Sequence, residues 1–220
     1  MKYCIIVLCA SFLFFSCKEK RHTKSFIVWK NTEGIKKFVH IKDKSYRALF
    51  LHTKEKKIND TISQSISSWF VNSLIFSDYT ENISPNYVDL VDIGMYELDS
   101  NNTPMRLNGE ILRKQLLKNG YLEHHIQYIS KRNIGLTYDI KRKTKSLIKS
   151  IDTLDIKCSD CMIIQGSSIV KLIYNNLSNK KDTMGYSESI SILKKNEGLI
   201  FFGNKENNIS NFYVLEKYLE

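Results

Sequence analysis

The last third of the chain consists of short β-branched and aromatic runs that turn-forming residues separate from one another. The runs cover residues 169–175, 186–193, 199–202 and 212–215. Stretches rich in Asn, Lys and Gly divide them, and 194–198 is the clearest of these turns. Runs of this length and composition are typical of strands in an antiparallel sheet. The sequence therefore predicts antiparallel β-structure for the C-terminal third.

Strand-like runs also occur earlier in the chain. Alternation and β-branched content predict strands at 25–29, 37–41, 46–53 and 87–98, the last ending in a turn at 99–104. Residues 121–130 fit either a helix or a strand. We favour a strand that turns at 131–133 into a second one, because alternation continues through Leu136, Tyr138 and Ile140.

Two segments carry helical signals. Residues 59–76 repeat apolar side chains at helical spacing, and Thr61 and Gln64 have the spacing of a capping box. This pattern predicts a helix with Trp69 on its buried face. A second helix is predicted over 109–118, where Asn108 is a suitable N-cap and the Asn-Gly pair that follows is a suitable C-cap.

Strands and helices that do not alternate regularly indicate an α+β fold. The prediction is a predominantly antiparallel β-sheet with two or three helices. Apolar content of 42% and charged content of 25% are ordinary for a globular protein. Two prolines and nine glycines provide no linker that would divide the chain, so residues 25–220 are predicted to form a single domain.

The N-terminus has the form of a secretory signal that ends at Cys17. Residues 1–3 are weakly basic, residues 4–15 are apolar, Ser16 is small, and the four residues after Cys17 are charged. The apolar run is shorter than the roughly 18–20 residues that span a bilayer. Residues 13–17, Leu-Phe-Phe-Ser-Cys, resemble the lipobox of Bacteroidota-type bacterial lipoproteins. The resemblance implies cleavage before Cys17 and thioether lipidation of its side chain.

An ordinary signal peptide cut after Ser16 is the alternative, although no A-x-A site competes with the lipobox. The lipoprotein interpretation implies a signal peptide at 1–16, and a lipidated cysteine with a polar tether at 17–24. Its diacylglyceryl and amide-linked chains, of the palmitate type, would anchor the chain stably to a membrane. The residue after Cys17 is Lys18 and not the aspartate that retains lipoproteins in the inner membrane, which favours the outer membrane. Lys18-Glu19 resembles part of a surface-export tag, so both the periplasmic side and the cell surface stay open.

Charge is distributed in blocks of alternating sign within a net charge of +10. Residues 18–57 carry thirteen basic against four acidic side chains, 58–110 one against eight, and 111–149 ten against two. Such blocks either face each other within the fold or form a bipolar surface that attracts a charged partner. Export argues against nucleic acid as that partner. An anionic envelope component or a protein remains as the candidate.

Cys158 and Cys161 form the one short motif whose side chains are candidates for a disulfide, a metal site or a redox centre. They are the only cysteines after Cys17, so a zinc site lacks further thiols, and no proline follows Pro104 to complete a thioredoxin-like centre. A structural disulfide that closes a tight turn is favoured by export from the reducing cytosol. Free thiols, and a metal or catalytic role, are the alternatives.

Other candidate sites are weaker, and we predict no catalytic residue, metal or cofactor. Ser146 and Lys149 match S-x-x-K without its partner motifs. His124 and His125 are neighbours, which point to opposite faces of a strand and chelate one ion poorly. Residues 97–103 have oxygen side chains at calcium-loop spacing but lack the glycine and distal glutamate of an EF-hand.

Three Asp-Thr pairs are followed by an aliphatic residue or Met. They resemble the O-glycosylation acceptor of exported Bacteroidota-type proteins, which would make Thr61, Thr153 and Thr183 the modified residues. Thr183, in a turn-rich stretch, fits the acceptor best.

Three functional hypotheses follow. The first is a membrane-anchored, non-enzymatic binding domain in the cell envelope. The second is an immunity or inhibitor-type lipoprotein that presents the acidic segment 58–110 to a basic toxin. The third is an enzyme without a recognisable motif. A pocket that gathers several titratable groups would favour the enzyme, and a flat charged face would favour binding.

Overall fold

The computed structural model describes residues 32–43, 45–84, 88–116, 122–133, 135–153, 156–175, 182–206 and 209–216. These residues form thirteen β-strands and contain no α-helix. The strands are β1 (Gly34–His40), β2 (Leu49–Lys57), β3 (Ser63–Val71), β4 (Leu74–Ile83), β5 (Val88–Leu98), β6 (Pro104–Asn108), β7 (Glu110–Leu116), β8 (Leu122–Ile129), β9 (Leu136–Thr153), β10 (Ile156–Tyr174), β11 (Thr183–Lys194), β12 (Gly198–Glu206) and β13 (Ile209–Leu215).

All strands belong to one antiparallel sheet of order β6-β5-β4-β3-β2-β1-β13-β12-β11-β10-β9-β8-β7. Its two edges, β6 and β7, are consecutive in the chain and are joined by Gly109 alone. β6 pairs with β5, whereas β7 pairs with β8. The chain from Pro104 to Leu116 thus links both edges, and the sheet curls into a nearly closed antiparallel barrel.

A hydrophobic core lies in the barrel's interior. Buried and less buried side chains alternate along most strands, as in Leu136, Tyr138 and Ile140 of β9. The core collects side chains from opposite walls, and the Tyr138 hydroxyl of β9 donates to Glu97 Oε1 of β5 at 2.9 Å. Strands on the two sides of the closure are therefore held together through side chains as well as through the backbone.

The predicted α+β class is wrong, and the helix predicted over 59–76 is replaced by β3 and β4. Asn72 and Ser73 join these strands with φ of 47° and 65°, the conformation of a type I′ hairpin turn. Asn59 Oδ1 accepts the backbone N–H groups of Thr61 and Ile62 in the β2–β3 turn, and Gln64, the other expected capping residue, lies on β3. Trp69 is only 1% exposed, as the core assignment predicted, but it lies on a strand.

The helix predicted over 109–118 is also wrong, because this segment holds β7. A Cβ at Gly109 would lie 2.7 Å from Ile93 Cγ2 and 2.8 Å from Tyr128 Cε1. The Gly109 N–H donates to the Ile93 carbonyl at 2.8 Å. Only glycine lets the backbone pass this close to β5 and β8, so Gly109 marks the point where the chain changes partner.

Most of the predicted strands are confirmed. The hairpin interpretation of 121–140 is correct, since β8 and β9 pair from Leu122↔Thr144 to Ile129↔Thr137. The strand prediction for 87–98 matches β5, and the runs in the C-terminal third match the end of β10, β11, β12 and β13. The strand predicted at 25–29 lies outside the described residues.

The two oppositely charged blocks meet where the barrel closes. Lys114 of β7 forms an ion pair with Asp89 of β5, in a region where no backbone pairing between these two strands is found among the described residues. Lys131 Nζ donates to the Arg106 carbonyl at 2.9 Å, and the Arg132 N–H donates to Glu97 at 3.3 Å. The blocks therefore face each other within the fold here.

Candidate ligand-binding site

An apolar pocket of about 450 Å³ lies at the end of the barrel where β1 finishes and β2 begins. Its walls come from the β1–β2 loop and from four strands, β2, β3, β4 and β13. Aromatic and aliphatic side chains dominate its lining, which consists of Ser45, Tyr46, Arg47, Leu49, Val71, Phe76 and Tyr213. The mouth of a barrel is a common place for a small-molecule site. We call this cavity the mouth pocket.

A β-bulge brings Phe76 to the mouth pocket. β3 and β4 change register between Trp69, which pairs with Ser77, and Phe70, which pairs with Ile75. Phe76 is the extra residue of the bulge, and its ring centroid lies 6.4 Å from that of Trp69. Bulges commonly redirect a side chain beside a functional site. The floor of the pocket is therefore continuous with the aromatic core.

His40, the last residue of β1, lies between two tyrosines that line the mouth pocket. Its ring stacks on Tyr46 with centroids 4.4 Å apart and meets Tyr213 edge-on at 5.4 Å. His40 is 7% exposed, and burial raises the pKa of the Tyr213 phenol, which keeps that hydroxyl neutral. Tyr46 and Tyr213 thus line the pocket, and His40 packs against both of their rings.

The two ring nitrogens of His40 have different environments. Nδ1 accepts the backbone N–H of Asp43 at 3.0 Å, so the ring proton is carried by Nε2. Within the described part of the chain, the buried Nε2 has no hydrogen-bond partner. A buried donor without an acceptor is costly and uncommon in folded proteins. His40 therefore offers a hydrogen-bond donor beside the pocket.

Arg47 supplies a positive charge at the rim. With the Asn72 amide oriented so that its oxygen faces the guanidinium, Arg47 Nη1 and Nε donate to that oxygen at 3.2 and 3.3 Å. Asp43, on the same loop, is exposed, and hydrogen bonds from the Ser45 side chain and from the Ser45 N–H, the latter to Oδ1 at 2.8 Å, lower the pKa of its carboxyl group. Arg47 forms no ion pair with any carboxylate of the described residues.

A row of polar side chains crosses the interior of the barrel away from the mouth pocket. Its members are cross-strand partners on β7 to β11, and we call them the interior polar row: Lys114, His124, Arg142, Ser168 and Ser187. Burial, with the charges of Arg142 and Lys114, lowers the pKa of His124 to about 3. The His124 imidazole is therefore neutral at physiological pH.

Glu81 lies near the interior polar row and faces Lys114. Burial raises the pKa of the Glu81 carboxyl well above its ordinary value, while the Lys114 charge opposes that shift. Burial also lowers the pKa of the Lys114 ammonium. Interior polar groups of this kind often mark function, but no pocket described for the chain is lined by them.

A second concavity, of about 390 Å³, lies on the barrel's outer face across β10 to β13. Polar and charged side chains such as Gln165, Glu188 and Lys205 contribute to its lining, together with Tyr186 and Phe212. Phe212 lies directly over Gly203, where a Cβ would be 2.1 Å from the Phe212 ring. The mouth pocket is the more apolar of the two and matches an ordinary small-molecule site better.

The cysteine pair lies within a strand and not at a turn. Cys158 and Cys161 are bridged in the structure with Cα atoms 5.8 Å apart, and the register of β10 against β9 shifts between them. Both residues are buried in the hydrophobic core together with Ile156. The predicted turn-closing geometry is thus wrong, because the bridge spans a β-bulge near the tip of the β9–β10 hairpin.

The other residues predicted from sequence are dispersed. Cys17 lies outside the described residues. Thr61 is exposed and its hydroxyl donates to Asn59 at 3.0 Å, Thr183 is exposed at the start of β11, and Thr153 ends β9. Nothing in the described part of the chain brings three His, Cys, Asp or Glu side chains together at metal-binding distance.

The predicted histidine pair and two motifs lie on strands and in a turn. His124 points inward, whereas His125 points outward and contacts Asp139 Oδ1 at 2.9 Å, as alternation on a strand requires. Ser146 and Lys149 of the S-x-x-K match both belong to β9, and Ser146 is exposed. Asp99 accepts the N–H groups of Asn101 and Thr103, which makes residues 99–103 a hydrogen-bonded polar turn.

The mouth pocket itself was not predicted. In the sequence, His40 is a single histidine in a strand-like run, and Arg47 and Tyr213 carry no local motif. These residues are up to 173 positions apart and meet because β1 pairs with both β2 and β13. Only the strand order of the sheet shows that these residues lie together.

Comparison with known proteins bears on the fold. No protein-family model and no curated protein matches the chain. Across the described residues, no helix is long and apolar enough to cross a membrane. The chain is similar to the crystal structure of a putative lipoprotein from Parabacteroides distasonis, with 13% sequence identity and a TM-score of 0.50. The similarity covers 87% of this chain and 96% of the other, and at this identity it shows a shared fold.

Proposed function

We propose that this protein is a lipid-anchored envelope lipoprotein whose barrel binds a small, mainly apolar molecule in the mouth pocket. The observation that carries the proposal is the pocket of about 450 Å³ at the barrel's end, lined by Tyr46, Leu49, Val71, Phe76 and Tyr213. Aromatic and aliphatic walls favour apolar ligands through burial of their surface. Binding without chemical conversion is the activity that such a lining supports.

Two further observations support the lipoprotein part of the proposal. The first is the lipobox-like sequence that ends at Cys17. The second is that the structural neighbour with the same fold, from a Bacteroidota genus, carries a lipoprotein description. Lipid on Cys17 would hold the chain on the outer membrane, on its periplasmic side or at the cell surface.

The position of the mouth pocket suits a tethered protein. β1 begins at Gly34, two residues after the first described residue, and ends at His40 beside the pocket. A seven-residue strand spans about 20 Å, so the pocket lies at the opposite end of β1 from Gly34. A ligand could enter this end while the other end faced the membrane.

The inhibitor alternative gains no comparable support. Its acidic segment would have to present free carboxylates to a basic partner. Asp78 and Asp92 instead accept from Arg106 Nη2 at 2.8 and 2.6 Å, and Asp89 pairs with Lys114. Carboxylates that are already paired within the fold attract a basic partner weakly.

The pocket is tested with N-phenyl-1-naphthylamine, an uncharged apolar probe whose fluorescence increases in an apolar site. The full chain is embedded in lipid nanodiscs, and empty nanodiscs provide the blank. We expect saturable binding that Val71→Trp removes by filling the pocket. The matched control, Val91→Trp, changes an exposed valine of β5 and should bind like the wild type. Equal binding by both variants would rule out this pocket as the site.

A further inference from the structure

The mouth pocket combines apolar walls with two nearby groups that can donate hydrogen bonds to a ligand. One is the guanidinium of Arg47 at the rim, whose partner in the described chain is the neutral Asn72 amide. The other is His40 Nε2, which is buried and has no acceptor among the described residues. Apolar walls alone would not require either group. Their presence indicates a ligand with a polar end.

We propose that the mouth pocket takes an apolar molecule that carries one acidic oxygen group, such as a carboxylate, bound by Arg47 and His40. The inference rests on the proposed function and names the ligand class of the same site. The apolar body packs against Leu49, Val71 and Phe76, and the acidic group accepts from the two donors. A charge-assisted hydrogen bond from Arg is roughly twice as strong as a neutral one and suits a planar carboxylate.

The orientation of the His40 ring supports this assignment. Because Nδ1 accepts the Asp43 N–H, Nε2 lies on the opposite side of the ring, away from the loop backbone. Tyr46 and Tyr213, which flank the ring, both line the pocket. An acidic oxygen that reached Nε2 by displacing one of these tyrosine rings would give it the acceptor that it lacks, and a buried donor gains most from such a bond.

The charge of the surrounding loop agrees with an acidic ligand. Residues 41–48 contain three basic side chains and one acidic side chain. The acidic one, Asp43, is exposed, its Oδ1 accepts the Ser45 N–H at 2.8 Å, and its charge also acts on His40. The Arg47 guanidinium at the rim of an apolar cavity favours an anion with an apolar body and disfavours a cation.

Two probes with the same apolar skeleton test the inference. N-Phenyl-1-naphthylamine is uncharged, and 8-anilinonaphthalene-1-sulfonate adds one sulfonate to that skeleton. Affinities are measured for the full chain in nanodiscs, and the signal of Val71→Trp is subtracted as binding outside the pocket. We expect Arg47→Met to weaken the sulfonate probe by about tenfold, the loss of one charge-assisted bond, and to leave the uncharged probe unchanged.

His40 is tested with a pair of amide variants. His40→Asn keeps an acceptor near the Nδ1 position but removes the Nε2 donor, whereas His40→Gln places an amide N–H near Nε2. We expect His40→Asn to weaken the sulfonate probe selectively and His40→Gln to recover part of the loss. Arg132→Met, at the β8–β9 turn, and His52→Asn, on β2, are the matched controls and should behave like the wild type.

The outcomes distinguish a failure of the acidic-ligand inference from a failure of the proposed binding function. If both probes bind the pocket and their affinity ratio is the same in wild type, Arg47→Met and His40→Asn, the acidic-ligand inference is wrong and the apolar pocket stands. If neither probe gives a signal that Val71→Trp removes, the proposed binding function itself fails. A selective loss of the sulfonate probe in both variants supports the inference.

Discussion

Trp69 on β3 and Phe202 on β12 contact each other edge to face, with ring centroids 4.9 Å apart. Three strands lie between β3 and β12 in the sheet, which corresponds to about 19 Å along the sheet. The contact is possible only because the sheet curls and brings opposite walls together. Phe38 on β1 touches both rings, at 5.5 and 5.1 Å, so these three aromatic side chains connect the two walls.

Truncating either partner of this contact should destabilise the whole barrel. We expect Trp69→Ala to lower the free energy of unfolding by about 3–5 kcal/mol, because it removes a fully buried ring. In a double-mutant cycle with Phe202→Ala, the coupling free energy should be about 0.5–1.5 kcal/mol, as for other aromatic pairs. The free energies of unfolding of the wild type, the two single variants and the double variant are measured by urea denaturation. Strict additivity would contradict the direct contact across the interior.

Gly109 should tolerate no side chain. Gly109→Ala places a methyl group against Ile93, Tyr128 and Ile126 at 2.7 to 3.0 Å, and we expect a loss of about 1–3 kcal/mol from overpacking. Gly185→Ala is the control, since its Cβ would meet only Glu206 Oε1 at 3.8 Å. Thermal and urea unfolding compare the two variants. Equal stability would mean that the chain does not pass between β5 and β8 as described.

His124 should make the fold sensitive to acid. Its pKa is about 3 in the folded chain and ordinarily 6.5, so between these values the unfolded chain binds a proton that the folded chain does not. Stability therefore falls as pH decreases from 6.5 towards 3, by up to about 1.4 kcal/mol per pH unit, and His124 has no effect above 6.5. We expect His124→Gln to remove this slope and His52→Gln to retain it. Urea denaturation across this pH range would exclude the assignment if the wild type and His124→Gln had parallel profiles.

Lipidation is predicted at Cys17 specifically. Cys17→Ser should leave an unprocessed, unlipidated precursor, whereas Cys9→Ser, which changes a cysteine within the leader, should be processed like the wild type. Mass spectrometry of the N-terminal peptide and partition into a detergent phase report the two states. A wild-type chain that stays in the aqueous phase without acyl groups would contradict the anchor.

The sequence predicts the strands well where interior residues are apolar. β9 follows this rule with Leu136, Tyr138 and Ile140, and its pairing with β8 was predicted correctly. β3 does not, because its buried face carries Ser65 and Ser67, so the hydrophobic alternation is hidden and the remaining apolar residues imitate helical spacing. Its Asn-Ser turn lacks the usual glycine, which removed the hairpin signal.

The site was less predictable than the fold for a physical reason. Its residues come from both ends of the chain and share no spacing, because the pairing of β1 with β13 brings Tyr213 beside His40. No local pattern encodes that pairing. The lipobox-like segment, by contrast, is contiguous and could be recognised directly. It predicts membrane anchoring but carries no information about a ligand.

The central claim is that the mouth pocket holds a small apolar molecule. Native mass spectrometry of the full chain, purified from its own membranes, tests this most directly. The account predicts a non-covalent molecule bound to the wild type and to Val91→Trp, and absent from Val71→Trp, whose new ring occupies the pocket. The same bound mass in Val71→Trp, or none in the wild type, would contradict the claim.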